Sequence, residues 1–182
     1  MFPGAQNYSV ESLKSVRRWE VRSAARFFSI RAISNCTEFT DKAHDVYIDF
    51  YRRTRYRYLS NRVQKESFDR WANAVFESPS LHVLGAFDGE QLVAVGISRA
   101  VGRTLIYSTF FSFGTALRHN VASLMLHAMR SSAAQCECID QVYAGNYGAL
   151  PGVSLRRVDG AFPFIMPDQP DLFAAEVEGF LK

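Results

Sequence analysis

Several side chains in this sequence have the types and spacing that chemistry on an anion would use. Arg118-His119-Asn120 precedes a stripe of Val121, Leu124, Met125, Ala128 and Met129, which predicts a helix with Asn120 as its N-cap. Free backbone N–H groups and a partial positive charge then lie beside a guanidinium and an imidazole, a set suited to a phosphate or carboxylate. Asp140 falls inside the apolar run Cys138–Tyr143. A carboxylate there is costly to bury unless paired. It is therefore a base or substrate anchor, or it faces solvent at a strand end. Tyr107 and Ser108 on an apolar strand, and Tyr143 and Tyr147 after Asp140, add hydroxyls, and Arg156 offers the planar fork that suits a phosphate.

Other chemistries find no signature. His44, His82 and His127 show no ligand spacing with one another or with a cysteine, and no metal is expected. Cys136 and Cys138 form a lone C-x-C pair without a partner pair at zinc-finger spacing. With Cys36 they are read as reduced thiols, which points to the cytoplasm. Neither a Ser-His-Asp nucleophile elbow nor a P-loop is present. No apolar run reaches the length of a membrane span, and the N-terminus does not read as a secretory signal.

The elements that must position these residues follow from periodicity. Ser9 to Phe28 is predicted as a basic surface helix capped by Ser9, and Ser29–Ile33 as a short strand. Ala43, Val46, Tyr47, Phe50 and Tyr51 make a helical stripe over Asp41–Arg55, and Phe68, Trp71, Ala72 and Val75 another, stopped at Ser78-Pro79. Leu81–Phe87, Glu90–Val101 and Thr104–Phe111, joined at Asp88-Gly89 and Gly102-Arg103, predict an antiparallel meander. After the Asn120 helix come a strand ending at Tyr143, a glycine-rich loop, a hairpin around Asp159-Gly160, and a closing helix from Asp168. The 182 residues divide into a basic helical segment, 1–28, and one domain, 29–182. The fold class is α/β (α+β), a mixed, mostly antiparallel sheet with helices on both faces.

Charge is unevenly spread over a net of +3. Residues 1–34 hold six basic and two acidic side chains, and residues 52–70 hold seven and two. Both blocks suit a polyanion or a solvated helix face.

A meander feeding a helix and a further strand resembles the core of the GNAT acyltransferases. Within that superfamily three segments are similar to the FemAB-like branch. They are the Arg-rich stretch Ser12–Arg26 running into Phe28–Ile33, the helix Val46–Tyr56, and Ser154–Gly160, where Leu155-Arg156 stands in for an aromatic-lysine pair and Gly160 keeps the spacing. The likeness spans roughly residues 9–166 as a pattern of elements and short motifs. Typical members carry an Arg/Gln-x-x-Gly-x-Gly loop before the helix after the meander. Phe113-Gly-Thr-Ala-Leu-Arg-His-Asn120 has one glycine.

The resemblance implies an N-acyltransferase moving an acyl or aminoacyl group from acyl-CoA or aminoacyl-tRNA to a small-molecule or peptidyl amine. It places Tyr107, Asp140 and Tyr147 as catalytic candidates, and Arg118, His119, Asn120 and Arg156 as donor-binding ones. Family members often have a second GNAT-like half upstream, so a homodimer or a pairing with such a half is implied. The alternatives are a non-catalytic GNAT-fold binding or dimerisation module, or a basic module that binds RNA, including tRNA.

Overall fold

The reversals expected at Asp88-Gly89 and Gly102-Arg103 organise the centre of the fold. In a computed structural model describing residues 2–54 and 60–144, Gly89 and Gly102 have φ of +55° and +54°, left-handed backbone that glycine adopts without steric cost. Each turn closes an antiparallel pair, so β3 (Leu81–Asp88), β4 (Gln91–Val101) and β5 (Thr104–Ser112) form the meander. β2 (Ser29–Ala32) adds antiparallel to β3, and β6 (Gln141–Tyr143) parallel to β5. A two-residue strand that the sequence did not suggest, β1 (Phe2–Pro3), caps β6, and the order is β1-β6-β5-β4-β3-β2.

The sheet is covered on both faces. On one lie α2 (Cys36–Thr54) and α3 (Lys65–Glu77). Their apolar stripes meet Val83, Phe87, Val95, Ile97 and Phe111. Phe39 stacks on Phe68 at 5.7 Å between ring centroids, and Tyr47 meets Phe111 edge-on at 5.4 Å, geometries that add to the burial itself. On the other face lie α1 (Ser15–Ala24), the short α4 (Gly114–Leu117) and α5 (Val121–Ala134). Val21 and Ala24 of α1 join Val121, Leu124 and Met125 of α5 over Ala86, Val93 and Ala94.

Three local expectations change. Ser9 does not cap a helix: Val10–Ser12 is a single 3₁₀ turn, Leu13 is extended, and α1 begins at Ser15. Leu13 is drawn against the α1/α5 core, so packing outweighs helix continuity. α2 begins five residues earlier than its stripe suggested, because the Asn35 side chain accepts the N–H groups of Thr37 (2.8 Å) and Glu38 (3.1 Å), a strong N-cap arrangement. Cys136 and Cys138 are not separate thiols. The turn after α5 brings their Cα atoms to 5.2 Å and the two form a disulfide, leaving Cys36 free. The expected loop at Gly145–Gly152, the hairpin and the closing helix lie outside the described residues.

The N-terminal segment is tied down electrostatically. Glu11 pairs with Arg18 (2.8 Å) and Arg22 (2.6 Å), and Glu20 with Arg17 (2.7 Å) and the Ser123 hydroxyl (2.6 Å). These partners hold both carboxyls below their ordinary value.

Two outcomes follow for stability. Phe39 is fully buried, so Phe39→Ala lowers the unfolding free energy by about 3–5 kcal/mol, read from urea titration. Because Glu11 and Glu20 bind protons less readily when folded, their stabilisation is present above the ordinary value of 4.5 and lost as pH falls through the lower folded values. The urea midpoint therefore falls on acidification below pH 4.5, and Glu20→Gln removes part of that slope; identical slopes would show that Glu20 makes no such contact.

Candidate functional site

Among the described residues the pairing of β5 with β6 is short. They pair from Thr104 with Gln141 to Ile106 with Tyr143, while β5 runs on to Ser112 and Ala144 is no longer strand. Tyr107 is the first β5 residue past the last pair. The next, Ser108, is a bulge: Ile97 faces Thr109 and Ser98 faces Tyr107, so Ser108 has no opposite number on β4. Its hydroxyl bonds back to the Ile97 carbonyl at 3.2 Å. A bulge re-aims backbone and bends its strand, and this one lies two residues beyond the last described β5–β6 pair.

Tyr107 lies on the face that α5 covers. Its ring crosses Gly96, where an added Cβ would come within 3.0 Å of the Tyr107 ring and hydroxyl and 2.8 Å of Met125 Cε. The hydroxyl is shut off from solvent and has no hydrogen-bond partner among the described residues. Burial pushes its pKa well above the ordinary tyrosine value, so it stays protonated and can only donate or accept a hydrogen bond at neutral pH.

β5 leads through Phe113 into α4 and then α5, and the amides there meet carboxylates from elsewhere in the chain. Gly114 N–H donates to Asp49 of α2 at 2.8 Å. Gly114 is a glycine for close approach: an added Cβ would lie 3.1 Å from Arg53 Cδ and 3.8 Å from the Asp49 carboxylate. Arg53 donates to the Ser112 carbonyl at 3.3 Å. Asn120 occupies the N-cap position of α5 with φ +60°, and its side chain makes no capping bond. Arg118 and His119 are exposed, and Phe27 packs on the His119 ring at 4.6 Å. In the first turn of α5, Ser123 donates to Glu20. Sequence reading did not find Asp49 or Glu20. Each acts on a residue 65 or 103 positions away, and nothing local marks such a contact.

Asp140 sits at the other end of the sheet. It precedes Gln141, the partner of Thr104, so it is about 13 Å along the strand direction from Tyr107. Arg103 grips it through two nitrogens, at 2.5 and 2.7 Å, and this pairing lowers its pKa. It is a half-exposed carboxylate at a strand end, ionised at neutral pH. The fold thus places Tyr107 and Ser108 just past the last described β5–β6 pair and Arg118, His119 and Asn120 at the start of α5, with Asp140 apart from both. Tyr143 ends β6, buried. Tyr147 and Arg156 lie outside the described residues.

Much of the basic surface is internally matched. Arg17, Arg18, Arg22, Arg31, Lys42 and Lys65 all pair with carboxylates, and Arg62 lies over the Trp71 ring at 4.3 Å. No helix among the described residues is long and apolar enough to cross a membrane.

No known protein-family model matches this chain, and no curated protein matches it in sequence. Solved structures match in shape. A ribosomal-protein-alanine N-acetyltransferase from Brucella melitensis biovar Abortus 2308 aligns over 74% of this chain and 99% of its own, with a TM-score of 0.54 at 8% identity. A possible acetyltransferase from Clostridium difficile 630 aligns over 65% and 78%, at 0.53 and 10%. The C-terminal domain (DUF2156) of a putative lysylphosphatidylglycerol synthetase from Agrobacterium fabrum aligns over 77% of this chain and 43% of its own, at 0.57 and 8%. At these identities the likeness is one of fold, and the chain has the fold of the GNAT acetyltransferases.

Proposed function

We propose that this chain transfers an acyl group from an activated donor to the nitrogen of an amine. The observation that carries the reading is Tyr107, buried and unpartnered among the described residues, just beyond their last β5–β6 pair on the strand that leads to the start of α5. An acyl ester or thioester laid along the unpaired part of β5 would put its carbonyl beside Tyr107. The amine nitrogen attacks that carbon, the C–N bond forms and the C–S or C–O bond breaks. The proton lost by the amine ends on the leaving sulfur or oxygen. Alignment and one good hydrogen-bond donor suffice for this, without a nucleophilic side chain.

Tyr107, kept protonated by its burial, supplies that donor. Arg118, His119 and Asn120 face the donor's phosphates at the start of α5. Asp140, ionised beside Arg103, suits attraction of a cationic amine better than proton abstraction. Tyr147 and Arg156 complete the catalytic and donor-binding sets. The donor is acyl-CoA or aminoacyl-tRNA and the acceptor a small-molecule or peptidyl amine. The FemAB-like affinity rests on Ser12–Arg26, Val46–Tyr56 and Ser154–Gly160.

One observation favours a second reading, a non-catalytic module on the same fold. The Gly114 amide and the Ser123 hydroxyl already hold carboxylates of this chain, Asp49 and Glu20, where a donor's phosphates would otherwise be received.

The two readings part on three measurements. Isothermal titration with acetyl-CoA, and mass-spectrometric detection of an N-acetylated product across a panel of amines, give binding and turnover on the first reading. Glu20→Gln then tightens acetyl-CoA binding about fivefold or more, the equivalent of ~1 kcal/mol of like-charge repulsion at 4 Å in water. Tyr107→Phe lowers turnover by about a hundredfold while leaving the melting temperature unchanged or higher, because it removes a buried unpartnered hydroxyl. Absence of donor binding in both the parent and Glu20→Gln, with acetyl-CoA and with aminoacyl-tRNA, establishes the second reading.

A further inference from the structure

At the far end of α5 from Asn120 the fold leaves a cavity of about 580 Å³. α5 has 14 residues, so the two ends lie about 20 Å apart. The cavity arises where β2 stops at Ala32 while β3 begins three residues lower, at Leu81. The last turns of α5 and the Cys136–Cys138 turn roof the space so left. Its volume falls within the ~300–1,000 Å³ of small-molecule sites.

The chemistry of the wall is selective. Ile33, Phe76, Leu84, Leu105, Met129 and Ile139 are among its apolar residues, His82 and four serines are its polar ones, and no Asp, Glu, Lys or Arg lines it among the described residues. Ser98 of β4 also contributes to the wall. That residue is fully buried, and its hydroxyl has no partner among the described residues. An unpartnered buried hydroxyl is costly, and a ligand oxygen or amide can relieve it. A charged ligand would meet no carboxylate, ammonium or guanidinium there, only the exposed His82 imidazole at the wall, and its burial is costlier still.

We infer that this cavity binds a neutral amphiphile, an aliphatic body carrying one hydroxyl, carbonyl or amide head that bonds to Ser98. The cavity shares no lining residue with the set assigned to acyl transfer, although Ser98 is the cross-strand partner of Tyr107.

The test uses the full chain labelled with 13C at the methionine methyls, titrated with 1-decanol and, separately, with sodium decanoate at pH 8. Met129 lines the cavity, whereas Met125 of the same helix does not, so Met129 reports binding and Met125 is the internal control. The expected result is a saturable shift of Met129 with decanol, and binding of decanoate at least roughly tenfold weaker. Ser98→Ala weakens decanol roughly two- to tenfold. Ser132→Trp, at an exposed wall position on α5, abolishes the shift while keeping the parent's melting temperature. If Ser132→Trp is not folded, Ala100→Phe blocks the same space from β4. The inference is overturned if the Met129 shift does not saturate, if it persists in the folded blocking variant, or if decanoate binds as tightly as decanol.

Discussion

Strand β4 has no exposed residue from Leu92 to Ser98, and this double-sided burial is the constraint to which the other elements answer. A strand covered on both faces needs neighbours for its N–H and C=O groups on both edges and an apolar layer above and below. β3 and β5 supply the edges through two tight turns, so that requirement is met locally and early in the chain order. The layers come from farther away. α2 and α3 precede the meander and cover one face, while α5, which follows it, shares the other with α1 from the N-terminus. Each layer carries a large aromatic or aliphatic cluster, and burying one such side chain is worth about 1.5–3 kcal/mol.

The same constraint produces the site. Val93 and Ala94 both turn to the α5 face because one residue too many is threaded through β4 opposite Ala86 and Phe87. Ser108 is the corresponding surplus in β5. Two bulges in adjacent strands increase twist, and among the described residues β6 pairs with β5 over three positions only, Thr104 to Ile106. Gly96 gives the Tyr107 ring room, and Met125 borders the same glycine. The position of Tyr107 is therefore set by core packing rather than by a loop.

What could be read from the sequence divides along sequence separation. The meander, its two turns, the stripe of α3 and the start of α5 all follow from neighbours within a few residues, and they were legible to within a residue or so. The start of α2 needed one side chain, Asn35, which the apolar stripe beginning at Ala43 does not reveal. The basic segment showed its helix but not its break at Leu13, since the break is made by the core that Leu13 joins. Tyr107 and Ser108 were legible as polar residues on an apolar strand, and the bulge that gives them meaning was not, because register is decided between strands. Asp140 was legible as an oddity, and the structure explains it through Arg103, across the fold. Cys136 and Cys138 were counted correctly but not paired, because whether residues two apart join depends on the turn that carries them.

Electrostatics at the start of α5 connects the N-terminal segment to any donor. The macrodipole and amides of a helix start favour an anion by about 0.3–1 kcal/mol. Glu20 already takes that position through Ser123, and Arg17 partly neutralises it at 2.7 Å. A second anion at about 4 Å from an unscreened carboxylate is repelled by about 1 kcal/mol in water and about 4 kcal/mol near a protein surface. The repulsion equals or exceeds the attraction, so a phosphate cannot simply join Glu20 there. Either Arg17 turns to bridge both anions, or Glu20 withdraws and α1 shifts with it. Val21 and Ala24 anchor α1 in the same core as Leu124 and Met125, and Met125 and the Tyr107 ring both border Gly96. Occupation of the α5 N-terminus and the packing around the Tyr107 hydroxyl are thus parts of one contiguous arrangement, joined through the α1–α5 contact.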